Sequence, residues 1–459
     1  MSHVFHPSIL REYDIRGVVG DTLHEADARA LGRSYAAIAV QEGARSVAVG
    51  RDGRTHSQAM EDALVDGLTA GALDVVRVGM GPSPMLYFAA ATLGVDGGIQ
   101  VTGSHNPADY NGFKMSLNGR SLFGAEIQKI GQRAAAGEWS DGAGRVSDED
   151  VREAYVAALL KDFAGGAYRI GWDAGNGAAG PVLETLVKRL PGEHFTLYTE
   201  VDGTFPNHHP DPTVEKNLAD LKALVAREKL DFGIAFDGDG DRIGAVDGTG
   251  RVVWGDQLLM ILAEPVLKAV PGAPIIADVK ASKTFFDRID ALGGQSVMWK
   301  TGHSLIKAKM KEMGSPLAGE MSGHIFFKHR WYGFDDALYA AVRLIEAVTE
   351  SGKSLTDLRG EMPETFATPE MRFDVDASRK FDVPGEVEQR LRGEGATVDT
   401  TDGVRVTTDD GWWLLRASNT QDVLVARAEA SDEAGLERLL AEIDAQLVAS
   451  GVSRDSNSH

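Results

Sequence analysis

Three times along this chain a β-branched apolar run ends in Gly or Asp and opens into a helical stretch. The runs are Ser46-Val-Ala-Val-Gly-Arg-Asp52, Tyr168-Arg-Ile-Gly-Trp-Asp-Ala-Gly175 and Pro274-Ile-Ile-Ala-Asp-Val-Lys280. Each round later carries a polar, Gly-rich loop between apolar segments, at residues 102–107, 237–242 and 319–324. Strands alternating with helices demand an α/β sheet, and three similar rounds predict three related α/β domains with mixed sheets. The pattern changes after Met362-Pro-Glu-Thr-Phe-Ala-Thr-Pro369, which reads as a linker because proline disfavours helix in the residue before it. Beyond it, residues 371–375, 404–407, 412–415 and 423–428 read as strands of an antiparallel sheet, and Ser431 begins a helix to about Val448. The expected fold class is α/β, with a C-terminal α+β domain.

Boundaries follow from local composition. Asp141-Gly-Ala-Gly-Arg145 is loop-like, and Ser147-Asp-Glu-Asp150 reads as a capping box opening a helix to about Phe163. Asp247-Gly-Thr-Gly250 is a turn. The expected domains are 1–146, 147–250, 251–362 and 363–459, and residues 451–459 read as a frayed end. A chain of 459 residues has room for about three or four domains.

Bulk properties exclude several function classes. No apolar run reaches about 18 residues, and the start lacks the apolar stretch of a signal peptide. A cytoplasmic protein without a membrane partner is expected. With no cysteine, disulfides, thiolate metal sites and a cysteine nucleophile are ruled out. A net charge of −21 argues against nucleic acid as a partner. An anionic small substrate would then need a local cluster of cations.

Two loops carry the chemistry. Asp237-Gly-Asp-Gly-Asp-Arg242 follows a strand-like run and gathers three carboxylates that would repel one another without a cation. Hard oxygen ligands of this kind suit Mg²⁺. An EF-hand is disfavoured, because Arg242 stands where that loop needs Gly and Gly248 where it needs Glu. The plain alternative is a solvated acidic turn. Thr102-Gly-Ser-His-Asn-Pro107 offers a serine hydroxyl on a Gly/Pro-bounded turn, and Lys114 follows closely. It lacks the Gly-x-Ser-x-Gly elbow of acyl hydrolases, and most Ser-His pairs merely hydrogen-bond a turn. A serine nucleophile beside a cation site is the equipment for phosphoryl transfer. Gly175-Asn-Gly-Ala-Ala-Gly180 has the form of a dinucleotide-binding turn, with Glu200 at a fitting distance, so an NAD-dependent dehydrogenase is a competing reading. The bland reading of those glycines is a tight strand-to-helix turn. His208-His209 is not a metal pair, since adjacent side chains on extended chain point apart.

In this order the motifs resemble the α-D-phosphohexomutases, specifically the bacterial bifunctional phosphomannomutase/phosphoglucomutases. The resemblance implies four domains around a central cleft. It places a phosphate on Ser104 and a Mg²⁺ on Asp237, Asp239, Asp241 and that phosphoserine. The segment Arg11-Glu-Tyr-Asp-Ile-Arg-Gly17 resembles the family's opening, which brings Tyr13 and Arg16 to the substrate. Arg242, Lys280, Gly302 and His303 fall where the family contacts substrate. Gly319-Glu-Met-Ser-Gly-His324 resembles the sugar-reading loop, with Glu320, Ser322 and His324. Arg416-Ala-Ser-Asn-Thr420 resembles the phosphate-binding loop, with Arg416, Ser418, Asn419 and Thr420. Relatives commonly continue with Glu-Pro or Thr-Pro, whereas this chain has Gln421-Asp422, which adds a negative charge near the loop.

The implied activity is transfer of a phosphoryl group between O1 and O6 of glucose and mannose phosphates through a hexose 1,6-bisphosphate. Glucose 1,6-bisphosphate would act as activator. Lys114 and His303 are the candidates for proton transfer, and His105 orients the serine or its phosphate. A phosphoglucosamine mutase is a rival within the family, and a sugar-phosphate or Mg²⁺ binding protein without turnover is the non-enzymatic one. The expected state is a monomer or small homo-oligomer.

Overall fold

The computed structural model describes residues 2–376, 378–419 and 423–452. The repeated pattern becomes a repeated sheet. In the first round, Ser46–Arg51 pairs in parallel with Asp74–Met80 on one side and Gly97–Val101 on the other. Gly97–Val101 then forms an antiparallel hairpin with Tyr110–Leu117. In the second, Tyr168–Asp173 lies between Gly192–Leu197 and Phe232–Phe236, which hairpins to Ile243–Asp247. In the third, Pro274–Asp278 lies between Gln295–Trp299 and Leu317–Gly319, which hairpins to Ile325–Phe327. The same strand order recurs three times, and each chemistry-bearing loop is the turn of the equivalent hairpin. A long parallel crossover cannot close a tight turn, whereas an antiparallel pair can. The hairpin is therefore where a compact polar loop emerges at a sheet's end.

The fourth sheet is antiparallel, as expected. Gly411–Ala417 is paired by Val404–Thr407 on one side and Val423–Ala430 on the other. Two helices, Asp382–Gly393 and Glu433–Ala449, pack on it. The first has no counterpart among the expected elements; it buries Val383, Val387 and Leu391. Glu433–Ala449 is capped by the Asp432 carboxylate, which accepts from the backbone N–H of Gly435.

Two readings need correction. Ser147 does not open a helix, because Val146–Asp148 is a strand paired in parallel with Val75–Arg77 of the first sheet. The helix is Arg152–Leu159, whose N-cap is Val151 with no side-chain cap bond; edge pairing took the residues that a capping box would have used. The stretch after Met362 is not all linker, since Phe366–Ala367 already pairs with Val423–Ala430. Val252–Val253 likewise continues the second sheet, beyond the turn at residues 247–250. The frayed end called from residue 451 falls, from 453 on, outside the described residues.

One apolar core runs through all three α/β units, with Met85, Leu86 and Phe88 of the first, Trp172 and Phe236 of the second, and Leu259, Phe285 and Leu338 of the third. The fourth unit keeps its own core around Trp413, Leu415, Val387 and Ile443. A small cluster of Val279, Trp412 and Leu414 is the apolar link between third and fourth.

Candidate active site

Two hairpin turns meet where the first and second sheets face each other. Gly238 packs so closely on the serine loop that an added Cβ would lie 2.6 Å from the Ser104 carbonyl oxygen. Ser104 is 2% exposed and adopts φ 53°, a left-handed conformation that costs a non-glycine residue about 1–3 kcal/mol and persists only where neighbours impose it. Those neighbours are visible. The Thr102 hydroxyl donates to Asp52 at 2.8 Å and accepts the Ser104 N–H at 2.8 Å. The buried Arg54 guanidinium donates to the carbonyls of Ser104 at 2.8 Å and Asn106 at 2.6 Å, and also to Pro107. The loop's backbone oxygens thus converge on one cation, which holds the serine in place. The Ser104 hydroxyl lies 3.2 Å from His105 Nδ1. Burial and the nearby Arg242 hold His105 well below the ordinary imidazole range, so it is neutral.

Asp237, Asp239 and Asp241 are wholly buried, and their ligand oxygens lie within 4.8 Å of one another. Asp237 Oδ1 accepts the N–H groups of Asp241 at 3.0 Å and Arg242 at 3.1 Å, which curls the loop around it. One oxygen of each carboxylate, Asp237 Oδ2, Asp239 Oδ1 and Asp241 Oδ1, has no hydrogen-bond partner. Buried carboxylate oxygens are normally satisfied. Three such orphans within one buried cluster of carboxylates fit a hard divalent cation, and this acidic group is able to hold a metal.

Lys114 supplies positive charge from the first sheet. Its ammonium donates to Asp239 Oδ2 at 2.7 Å and also to Asp241. Burial alone would lower its pKa, but the aspartates outweigh that and push it well above its ordinary value. Burial and two like-charged neighbours push Asp237 well above the usual carboxylate range. Burial opposes ionisation of Asp239 too, but Lys114 and the Ser83 hydroxyl outweigh it and hold this carboxyl below that range.

The third sheet's turn closes the far side. Arg242 pairs with His324 as an isolated antiparallel bridge, and its Nε donates to His324 Nε2 at 2.9 Å. Because a guanidinium only donates, His324 Nε2 is the accepting nitrogen. Its Nδ1 faces Asp335 Oδ2 at 3.1 Å and Asp241 Oδ1 at 3.6 Å. His303 stacks on His324 with ring centroids 5.9 Å apart; burial and Lys307 keep it neutral. Glu320 is oriented by the Gly302 N–H at 2.9 Å and the Ser322 hydroxyl at 2.9 Å.

The remaining predicted residues border the same cleft. Arg16 donates to Asn106 Oδ1 at 2.5 Å in the serine loop. The Tyr13 hydroxyl donates to the Thr301 carbonyl at 2.7 Å and accepts from Asn419 Nδ2 at 2.5 Å, so first, third and fourth units meet there. Lys280 and Arg416 are buried, with Lys280 on Glu370 at 3.1 Å and Arg416 on Asp402 at 2.9 Å. Ser418 is buried in the same loop. Thr420, Gln421 and Asp422 lie outside the described residues.

The dinucleotide reading is overturned. Ala178 N–H donates to the Gly238 carbonyl at 2.9 Å, and a Cβ on Gly177 would fall 2.8 Å from that same oxygen. The glycines let this turn buttress the aspartate loop, which leaves no cradle for a pyrophosphate. His208 Nε2 donates to Asp173 Oδ2 at 2.9 Å beside the same turn, a structural tie. Sequence reading missed Arg54, Asp335, Asp402 and Glu370. For Arg54 a signal existed, since it lies just past a strand's carboxyl end, where α/β sites gather. Asp335 is hidden beside the helix cap Asp336, and Asp402 and Glu370 carry no motif.

Three sheets whose turns bring together a strained serine, orphaned carboxylates and the Glu320 carboxylate, beside a fourth that brings Arg416, define a phosphoryl-transfer enzyme of the phosphohexomutase class. Comparison with known proteins agrees. Models of the phosphoglucomutase/phosphomannomutase family match in order, alpha/beta/alpha domain I over residues 7–141, domain II over 153–250, domain III over 254–366 and the C-terminal domain over 370–446. The chain belongs to this family. It is 45% identical over 433 residues to the phosphomannomutase/phosphoglucomutase of Pseudomonas aeruginosa, covering 94% of each chain. It is 42% identical over 436 residues to the phosphoglucomutase of Neisseria meningitidis serogroup A, covering 94% of this chain and 95% of that one. A crystal structure of a phosphoglucomutase/phosphomannomutase family protein from Burkholderia thailandensis superimposes with a TM-score of 0.92 at 42% identity and 99% coverage of both chains. Among the described residues no helix is long and apolar enough to cross a membrane.

Proposed function

We propose that this chain interconverts the 1-phosphates and 6-phosphates of glucose and mannose, with Ser104 as the carrier of the phosphoryl group. The observation that carries the reading is the buried, left-handed Ser104 packed against a loop of three aspartates with orphaned oxygens. In the resting enzyme Ser104 bears a phosphate. Asp237, Asp239, Asp241 and that phosphate would hold Mg²⁺, which neutralises charge on the transferring group.

A hexose 1-phosphate enters with its phosphate on Arg416, Ser418 and Asn419 and its ring hydroxyls on Glu320 and Ser322. Its O6 attacks the phosphorus on Ser104. The new O6–P bond forms as the Ser104 Oγ–P bond breaks, O6 gives up its proton, and Oγ gains one. His303, stacked on His324, stands ready to take the first proton. Lys114, held as ammonium, favours the leaving serine oxygen. The bisphosphate then turns end for end, and Ser104 takes the phosphoryl from O1. Arg16, Tyr13, Arg242 and Lys280 add cations and donors around the cleft, and His105 orients the serine. Free Ser104 is recharged by glucose 1,6-bisphosphate.

This reading makes hexose phosphates the partners of a cytoplasmic enzyme, a monomer or small homo-oligomer needing neither nucleic acid nor membrane. Its domains divide near residues 146, 250 and 362. The test is intact mass and turnover together. Fresh protein should carry one phosphate that Ser104→Ala removes, and should convert both hexose 1-phosphates faster than glucosamine 1-phosphate. Equal or better turnover of the amino sugar would reassign the substrate.

A further inference from the structure

We infer that Asp402, which belongs to none of the motif loops, is a positioning residue that aims Arg416 at the substrate phosphate and registers that grip against the sugar-reading loop. The inference rests on the reading above, in which Arg416 binds the phosphate remote from the reacting oxygen.

A single oxygen, Asp402 Oδ2, accepts from Arg416 Nε at 2.9 Å and from the Thr301 backbone N–H at 3.0 Å. The side chains of Arg416 and Asp402 are 7% and 15% exposed, so this pair is shielded from water. A guanidinium is planar, with its donors in a fixed fork. Engaging Nε sets the plane and leaves the Nη1–Nη2 edge for a phosphate. Among the described residues neither Nη atom of Arg416 has a hydrogen-bond partner. Asp402 therefore orients the cation without occupying the edge that a phosphate needs.

The second bond reaches across the boundary between units. Thr301 is fixed by its hydroxyl on Asp278 at 2.9 Å and by its carbonyl on Tyr13 at 2.7 Å. The next residue, Gly302, donates its N–H to Glu320 at 2.9 Å. One carboxylate oxygen thus joins the phosphate grip of the fourth unit to the peptide that aims the sugar-reading carboxylate. A phosphosugar spans both, so the spacing between them decides how well it fits.

Steady-state kinetics of the Mg²⁺-loaded full chain on glucose 1-phosphate test this with wild type, Asp402→Ala, Asp402→Asn, Arg416→Ala and the Asp402→Ala/Arg416→Ala double variant. Losing a charge-assisted hydrogen bond at a buried cation predicts a roughly ten- to hundredfold rise in KM for Asp402→Ala, with kcat within about threefold. Asp402→Asn keeps an acceptor oxygen and should recover most of that loss. Because Asp402 acts through Arg416, the double variant should be no worse than Arg416→Ala alone. An unchanged KM for Asp402→Ala, or losses that multiply in the double variant, would overturn the inference. So would a fall in kcat and Tm at constant KM, the mark of general loosening. Should Asp402→Ala not fold, the cycle is run with Asp402→Ser, whose shorter side chain cannot reach Arg416 Nε and should show the same rise in KM. Should Arg416→Ala bind substrate as wild type does, the phosphate-loop reading itself falls, and with it the inference.

Discussion

The junction between the first two units and the joint between the third and fourth are built on opposite principles. At the first, the serine and aspartate loops rest on a continuous apolar core shared by three sheets. At the second, the fourth unit brings its own core and, beside the small apolar cluster of Val279, Trp412 and Leu414, meets the third through polar bonds. Arg405 donates to the carbonyls of Val279 and Ala281, Arg427 to that of Lys280, and Ser282 to Glu429. Fully burying one large apolar side chain is worth about 1.5–3 kcal/mol, and a hydrogen bond to a charged group about as much, so the two differ in kind and not in strength per contact. Opening the apolar junction would expose a shared core to water, whereas opening the polar joint would exchange its bonds for bonds to water. The difference teaches that, in the proposed reading, the half that breaks bonds rests on a shared core, while the half that grips the far phosphate is joined through bonds that water can replace.

The sharpest way to break this comparison is at the fixed half. Ser104→Ala should lower hexose phosphate interconversion by roughly 10⁴-fold or more, measured by coupled assay, with the fold intact; substantial residual turnover would remove the serine from the mechanism. Next in size, stripping divalent metal with a chelator should cost about 10²–10³-fold, restored by added Mg²⁺. Full activity in chelator would mean that Lys114 neutralises the aspartates unaided. Arg54→Ala should then separate the two halves by stability. It leaves Asp52 and three loop carbonyls without their cation, so the three-sheet block should lose about 3–5 kcal/mol. Hydrogen exchange should show this loss confined to residues of the shared core, with the fourth unit's sheet unmoved; equal deprotection of both would show one cooperative body.

The smallest effect belongs to the polar joint and depends on pH. Lys280 holds the Glu370 carboxyl down at about 2, from an ordinary 4.5. A depressed carboxyl contributes stability that is complete above about pH 4.5 and lost as pH falls toward about 2. Glu370→Gln should thus lower the free energy of unfolding at pH 7 by about 1–2 kcal/mol. The gap from wild type should close across that acid window, and a pH-independent gap would assign Glu370 a packing role instead.

Much of this was legible in the residues themselves. The loops at 102–107, 237–242 and 319–324 announce themselves because their chemistry is local: glycine for turning, several carboxylates or a hydroxyl within six residues. The antiparallel sheet after residue 369 was equally readable from alternation and turns. The misreadings share a cause. Ser147 has the composition of a helix cap, yet Val146–Asp148 is claimed by a strand 71 residues away. Gly175–Gly180 has the form of a dinucleotide turn, yet its partner is the Gly238 carbonyl. In both, a distant neighbour outbid the local preference.

Local order of residue types, then, was enough to set the number of sheets, the place of each reactive loop and the class of chemistry. What the folded chain alone decided was who stands beside whom: Arg54 under Ser104, Lys114 on the aspartates, Asp335 behind His324, Asp402 behind Arg416. A hydrogen bond depends on separation in space and not on separation along the chain. A carboxylate 101 residues from the peptide it holds therefore leaves no trace in the sequence around it.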